Sequence, residues 1–289
     1  MTLLLQTPRA LATRMLRRVT GAPGPLAGRT VMVTGASSGI GEATAYAVAR
    51  RGAHVLLVAR RPEELEGVRA RVEADGGEAT AYTCDLTDGE AVDALVERVL
   101  DEHGAVDYLV NNAGRSIRRS LELSHGRFHD FERSMAVNFF GPVRLTMGLL
   151  PAMRAQRFGH VVNLVTWGVQ IKAPKFAAYI ASKTALDTWS RIAGREAFFD
   201  NVTFTNVRMS LVHTPMTAPT EVYADMRGYS PEEAAGIVVR ALEDRPLTWN
   251  TLTGSVFEVA NVVAPRLADL AMAVAHRREP DSAAARGGR

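Results

Sequence analysis

Tyr179 and Lys183 stand four residues apart in a run, Phe176 to Asp200, that reads as a helix. That spacing puts both side chains on one helical face. A tyrosine hydroxyl near its reference pKa of about 10 is a poor base at neutral pH. A nearby ammonium favours the phenolate and lowers that pKa. Thr166 lies thirteen residues before Tyr179, just after an apolar run, and offers a second hydroxyl. A hydroxyl donor, a tuned tyrosine and a lysine beside a carbonyl can exchange a proton with it. The same spacing also describes a packed tyrosine beside a snorkelling lysine.

Such a group needs a scaffold, and the earlier chain supplies one. Val31 to Val33 is apolar and runs into Thr34-Gly35-Ala36-Ser37-Ser38-Gly39-Ile40-Gly41, with an alanine-rich helical pattern from Glu42. Strand, turn and helix follow in the order of a dinucleotide fold's first crossover. Gly35 permits a tight turn, Gly39 lets the backbone approach a pyrophosphate, and Gly41 lets the helix pack close to the sheet. The helix N-terminus, with Ser37, Ser38 and Ile40 beside it, presents unpaired N–H groups to phosphates. Taken alone, the turn also fits a purely structural role.

The second apolar strand ends in Val58-Ala59-Arg60-Arg61. An acidic residue there would favour NAD through the ribose hydroxyl. Two guanidinium groups favour a 2′-phosphate instead, so NADP(H) is expected over NAD(H). Asp85 and Leu86 follow the third strand, and Asn112, Ala113 and Gly114 follow the fourth, all at the carboxyl edge where open sheets bind ligands. Arg115, Arg118 and Arg119 come next, either to meet an anionic substrate or, as the favoured reading, to be solvated. Asn138 lies one turn before Pro142 in a long helical stretch, Arg127 to Arg154, where it can bond an opened carbonyl or a water.

Alternating strands and helices from Arg29 onward predict an α/β fold: a Rossmann-type doubly wound parallel β-sheet with helices on both faces. The 289 residues, 47% hydrophobic, suit one such domain over about residues 26–275. Residues 1–29 carry five arginines and no acid, leaving 29 basic and 31 acidic residues beyond them. The body is therefore not basic, and the charge does not argue for nucleic acid. Residues 1–25 read as a basic amphipathic arm and linker, suited to an anionic membrane surface or to packing on the protein's own domain or a partner subunit. One cysteine, Cys84, excludes an internal disulfide and suits a reducing, cytoplasmic interior. No metal site is expected.

Thr34-Gly35-xxx-Gly39-Ile40-Gly41, Asn111-Asn112-Ala113-Gly114, Asn138 and Tyr179-Ile180-Ala181-Ser182-Lys183 resemble, in order and spacing, the motifs of the short-chain dehydrogenase/reductase family. The resemblance covers about residues 28 to 245. It implies that Tyr179 is the general acid/base and that Lys183 lowers its pKa and bonds the nicotinamide ribose. It further implies that Thr166, standing where the family has serine, orients the carbonyl, and that Asn138 supports a proton-relay water. Met209-Ser210 replaces the family's Pro-Gly, leaving Val212 and Thr214 to meet the nicotinamide. Dimers or tetramers are also implied.

A narrower resemblance, through Asn112–Ser120, Arg127–Arg133 and Thr214-Pro215-Met216 with Pro219-Thr220, is to actinobacterial fatty acyl-CoA reductases of the short-chain type. It implies a long-chain acyl substrate reduced with loss of CoA. A ketone reductase and a low-turnover NADP(H)-binding sensor remain the alternatives. Residues 216–229 are expected as a mobile lid. Val256 to Val274, interrupted by Pro265, reads as an apolar helix for packing, an acyl tunnel, a membrane or a subunit interface. Residues 276–289 read as a flexible tail.

Overall fold

A computed structural model describes residues 23–218, 220, 223–282 and 285–286. The basic arm expected over residues 1–25 lies almost wholly outside them. Seven parallel strands run in the order β3-β2-β1-β4-β5-β6-β7. They are β1 (Thr30–Thr34), β2 (His54–Ala59), β3 (Glu78–Thr83), β4 (Tyr108–Asn111), β5 (Gly159–Thr166), β6 (Val202–Met209) and β7 (Thr248–Asn250). The order reverses between β1 and β4, the switch point where such sheets open a crevice at their carboxyl ends.

Helices α1 (Gly39–Ala49), α2 (Pro62–Ala74) and α8 (Pro231–Asp244) cover one face, and α3 (Gly89–His103), α5 (Gly141–Ala155) and α7 (Ala177–Glu196) cover the other. Strand side chains alternate between two cores. Val31, Val33, Val55 and Leu57 pack under α1, α2 and α8, whereas Met32, Leu56 and Val58 pack under α3 and α5. Burial on both faces explains why these strands are apolar throughout. The caps follow the sequence: Asp88 accepts from the amides of Glu90 and Ala91, and Ser230 and Glu233 form a reciprocal capping box on α8.

The long helix expected over 127–154 is divided. Helix α4 (His129–Met135) passes through a π-turn, Ala136–Phe140, into α5. Pro142 has no N–H for the carbonyl four residues back, and the ladder opens there. The remaining helices are α6 (Gly168–Ile171), α9 (Leu252–Val263) and α10 (Pro265–Arg278), with Pro265 dividing the last two. Strand β7 escapes the sequence reading because it is three half-buried residues long. Where a flexible tail is expected from residue 276, α10 continues to Arg278, and Ser282 and Ala285 are buried.

A buried amide ladder braces the carboxyl half of the sheet. Asn111 donates to Asn163 at 2.9 Å, and Asn163 donates to Asn206 at 3.1 Å, across neighbouring positions of β4, β5 and β6. Asn206 also donates to the Asp187 carbonyl on α7 and accepts from Ser190. The ladder fixes α7, and so Tyr179 and Lys183, in register with β5.

His160 on β5 is fully buried between Thr203 and the Ala241 carbonyl, and burial pulls its pKa down to about 3. The unfolded chain binds a proton below about pH 6.5 that the folded one refuses, so stability is intact above 6.5 and falls as pH drops toward 3. Denaturant unfolding at pH 4.5 should show a loss from this residue of about 2–3 kcal/mol relative to pH 7. His160→Gln should flatten the slope by one proton; an unchanged slope would contradict the assignment.

Candidate active site

The crevice at the switch point is a cavity of about 1330 Å³. Gly35 begins it with a φ of 66°, and a Cβ there would lie 2.9 Å from the Ala113 backbone and from Asn112. The Thr34 hydroxyl accepts from the amides of Asn112 and Ala113, while Asn112 donates to the carbonyls of Thr34 and Gly35. The turns after β1 and β4 are thus one unit. A Cβ on Gly41 would sit 2.1 Å from the Gly35 carbonyl oxygen, which is why α1 can approach so closely. Gly39, with a φ of 58°, lies under Thr214. Ser38 starts α1 with no side-chain cap, so the helix end keeps amides for a ligand.

Every expected site residue lines the cavity except Gly41 and Asn138. At its nucleotide end, Arg61 donates to the hydroxyls of Ser37 and Ser38 at 3.3 and 3.4 Å. Arg60 pairs with Asp85 at 3.7 Å, and Asp85 also accepts from Thr87. Two exposed arginines beside an open helix N-terminus fit an adenosine 2′-phosphate. Leu86 lines the wall, and its carbonyl packs on Gly141. The glycine cradle, uncapped helix end and arginine pair together fit a nicotinamide dinucleotide.

At the other end, Lys183 is buried and donates to the Leu164 carbonyl at 2.8 Å. Burial pulls its pKa down to about 8. Thr166 lines the cavity beside Tyr179 and accepts from the Gly168 amide at 3.1 Å. The sequence reading expects the lysine to lower the tyrosine pKa. Burial raises the Tyr179 pKa to about 12, Thr166 pulls it downward, and Tyr223 adds to the rise. The hydroxyl therefore keeps its proton at neutral pH. Asn138 bonds neither its own helix nor the cavity. It accepts from the Arg115 amide, donates to the Arg115 carbonyl and donates to Ser182, each at 2.9 Å. It holds the Gly114 segment against Lys183, where a Cβ on Gly114 would lie 2.8 Å from Asn138 Oδ1.

The sequence reading missed much of the far wall. Val212 and Thr214 lie at the cavity rim, joined by Met216, Tyr223 and Met226 from the expected lid, of which residues 219, 221 and 222 lie outside the described residues. Phe257 of α9 and Met272 of α10 close the cavity behind Trp167 and Phe176. Of the three arginines favoured as solvated, only Arg115 is exposed; the Arg118 and Arg119 side chains are 5% and 11% exposed. No local pattern signals this, because the carboxylate of Arg118 and the carbonyl that accepts from Arg119 both lie about 160 residues away. Among the described residues no helix is long and apolar enough to cross a membrane.

Gly41→Ala tests the cradle. The added methyl forces α1 off the turn, so dinucleotide affinity should fall by about tenfold or more, at an overpacking cost of about 1–3 kcal/mol in stability. Nucleotide fluorescence titration reads the first and denaturant unfolding the second; unchanged affinity would refute the close approach.

Comparison with known proteins agrees with this geometry. The family model for short chain dehydrogenase matches residues 29–223. A fatty acyl-CoA reductase of Acinetobacter baylyi is 45% identical over 90% of this chain and 88% of its own. A fatty acyl-CoA reductase of Mycobacterium tuberculosis is 42% identical over 87% of this chain and 86% of its own. The crystal structure of a metagenomic short-chain oxidoreductase in complex with NADP superposes with a TM-score of 0.66 at 32% identity, over 75% of this chain and 92% of that one. A parallel sheet with its crevice at the β1–β4 switch, a glycine cradle and a Thr-Tyr-Lys group place the chain in the short-chain dehydrogenase family of oxidoreductases.

Proposed function

We propose that the protein reduces the thioester carbonyl of a fatty acyl-CoA, with NADPH preferred over NADH. The observation that carries the reading is the cavity itself. Beyond Tyr179 and Thr166 it continues between Trp167, Ile171, Phe176, Met216, Phe257 and Met272, an apolar lining that suits an acyl chain better than a small polar ketone. Similarity to two fatty acyl-CoA reductases supports the same substrate class.

The cofactor, when bound, supplies the hydride. Thr166 orients the carbonyl oxygen through its hydroxyl. Tyr179, kept protonated by burial, gives its proton to that oxygen, forming a hemithioacetal. Cleavage of the carbon–sulfur bond then leaves the aldehyde and the CoA thiol. Lys183, held by Leu164, faces the same end of the cavity as a cation. Its low pKa gives reduction an alkaline limb: the charged form prevails below about pH 8 and is lost above it. The lid of residues 216–229, a homo-oligomer and a peripheral membrane contact through the N-terminal arm belong to the same proposal.

NADPH consumption with palmitoyl-CoA, with free thiol followed in the same cuvette, should show one thiol released per NADPH. Tyr179→Phe should lower kcat by about 10²–10⁴-fold while leaving NADPH binding intact. In the wild type, kcat/KM for NADPH should be level from pH 6 to 7.5 and fall above about 8. NADPH oxidation without thiol release would indicate a ketone substrate.

Arg60 and Arg61 set the cofactor choice. Arg61→Glu should raise the KM for NADPH by about tenfold or more and change that for NADH by less than about threefold. Equal effects on both would remove the phosphate role.

A further inference from the structure

Two buried cations on the cavity wall have no part in the proton transfer. Arg118 and Lys175 both line the cavity, at 9% and 7% exposure. Arg118 lies within electrostatic reach of Tyr223, which in turn acts on Tyr179. Lys175 holds a φ of 69°, a left-handed backbone that disfavours a long side chain. The Arg119 amide pins it there by donating to the Lys175 carbonyl at 2.6 Å. Strain of this kind persists where the surroundings over-determine it, often at ligand sites.

The stretch after α10 supplies the partners of these cations. Arg118 Nη2 donates to Glu279 Oε2 at 3.0 Å, Arg118 Nη1 donates to the Pro280 carbonyl at 3.5 Å, and Lys175 Nζ donates to the Glu279 carbonyl. Asp281 accepts from the Ser120 amide at 3.2 Å. Arg119 differs, because buried Asp130 is its own acid at 3.4 Å. Glu279 also lines the cavity, yet its side chain is 58% exposed. It is an accessible carboxylate at the mouth, set on buried cations.

We infer that Arg118 and Lys175 form an anion subsite for the phosphate of a phosphopantetheine thioester, and that Glu279 fills it in the substrate-free protein. This rests on the acyl-thioester reading above. A guanidinium donates to carboxylate and phosphate oxygens through the same fork of N–H groups. Losing Glu279 with no replacement would strand two buried charges. Glu279 and the Pro280–Asp281 stretch beside it therefore leave when a substrate phosphate takes their place, which couples opening of the cavity to arrival of the correct head group.

The test compares palmitoyl-CoA with palmitoyl-pantetheine, which lacks the phosphate. Arg118→Ala should raise the KM for palmitoyl-CoA by about thirtyfold and alter that for palmitoyl-pantetheine by less than about threefold. Equal losses on both would make Arg118 a structural tie only and overturn the inference. Glu279→Gln, which leaves the cations in place, should lower the KM for palmitoyl-CoA by about threefold or more; no change would overturn the stand-in role. Palmitoyl-acyl carrier protein shares the phosphate, so its KM should rise in Arg118→Ala wherever it is a substrate; a rise for neither thioester would overturn the inference. If the wild type reduces no thioester, the functional reading fails separately. Calorimetric titration with CoA then decides the subsite: binding lost in Arg118→Ala upholds it, and no binding to the wild type overturns it.

Discussion

Lys183 is an ammonium buried at the end of the sheet, and its ligand is a backbone carbonyl, that of Leu164. Burying a charge without a neighbouring carboxylate is unfavourable, and it lowers the lysine pKa to about 8. The surroundings are arranged to hold it. Gly114 must be glycine so that its segment can approach, Asn138 fixes that segment through Arg115, and Ser182 accepts from the same asparagine. The π-turn that seats Asn138 follows from Pro142. A distortion in one helix thus serves a charge on another.

Tyr179 feels the same burial with the opposite sign. A neutral phenol is favoured where an ammonium is disfavoured, so the two groups stay apart in pKa, at about 12 and about 8. That division keeps a protonated phenol beside a group that titrates nearer neutrality. It holds only while α7 keeps its register with β5, which is what the Asn111–Asn163–Asn206 ladder secures through Asp187 and Ser190. Threonine at 166 keeps a hydroxyl on the cavity wall that Tyr179 also lines, and its extra methyl changes the shape there.

The far side of the cavity has a different character. Phe257 and Met272 turn inward from α9 and α10, while Val259, Val262, Val263, Leu267 and Leu270 on the same helices are largely exposed. The two helices therefore wall the cavity with a minority of their apolar residues. Beyond α10, Glu279 and Ala285 meet the loop of Arg118 and Arg119. The cavity wall there is cationic, and Arg118 takes its counter-charge from Glu279.

The fold was legible because apolar strands buried on both faces, glycine turns and capped helices are local signals: β1 to β6 and the Thr34–Gly41 cradle follow from them. Tyr179, Lys183 and Thr166 were legible because spacing on one helix and position after one strand suffice to bring them together. The burial of the tyrosine hydroxyl was not legible, since desolvation depends on every element packed around it. Nor were the partners of Asn138, the burial of Arg118 or the seating of Glu279, because each joins residues far apart in sequence. Residue order determined which groups stand at the carboxyl edge of the sheet; tertiary packing alone decided which are buried, and burial sets their charge.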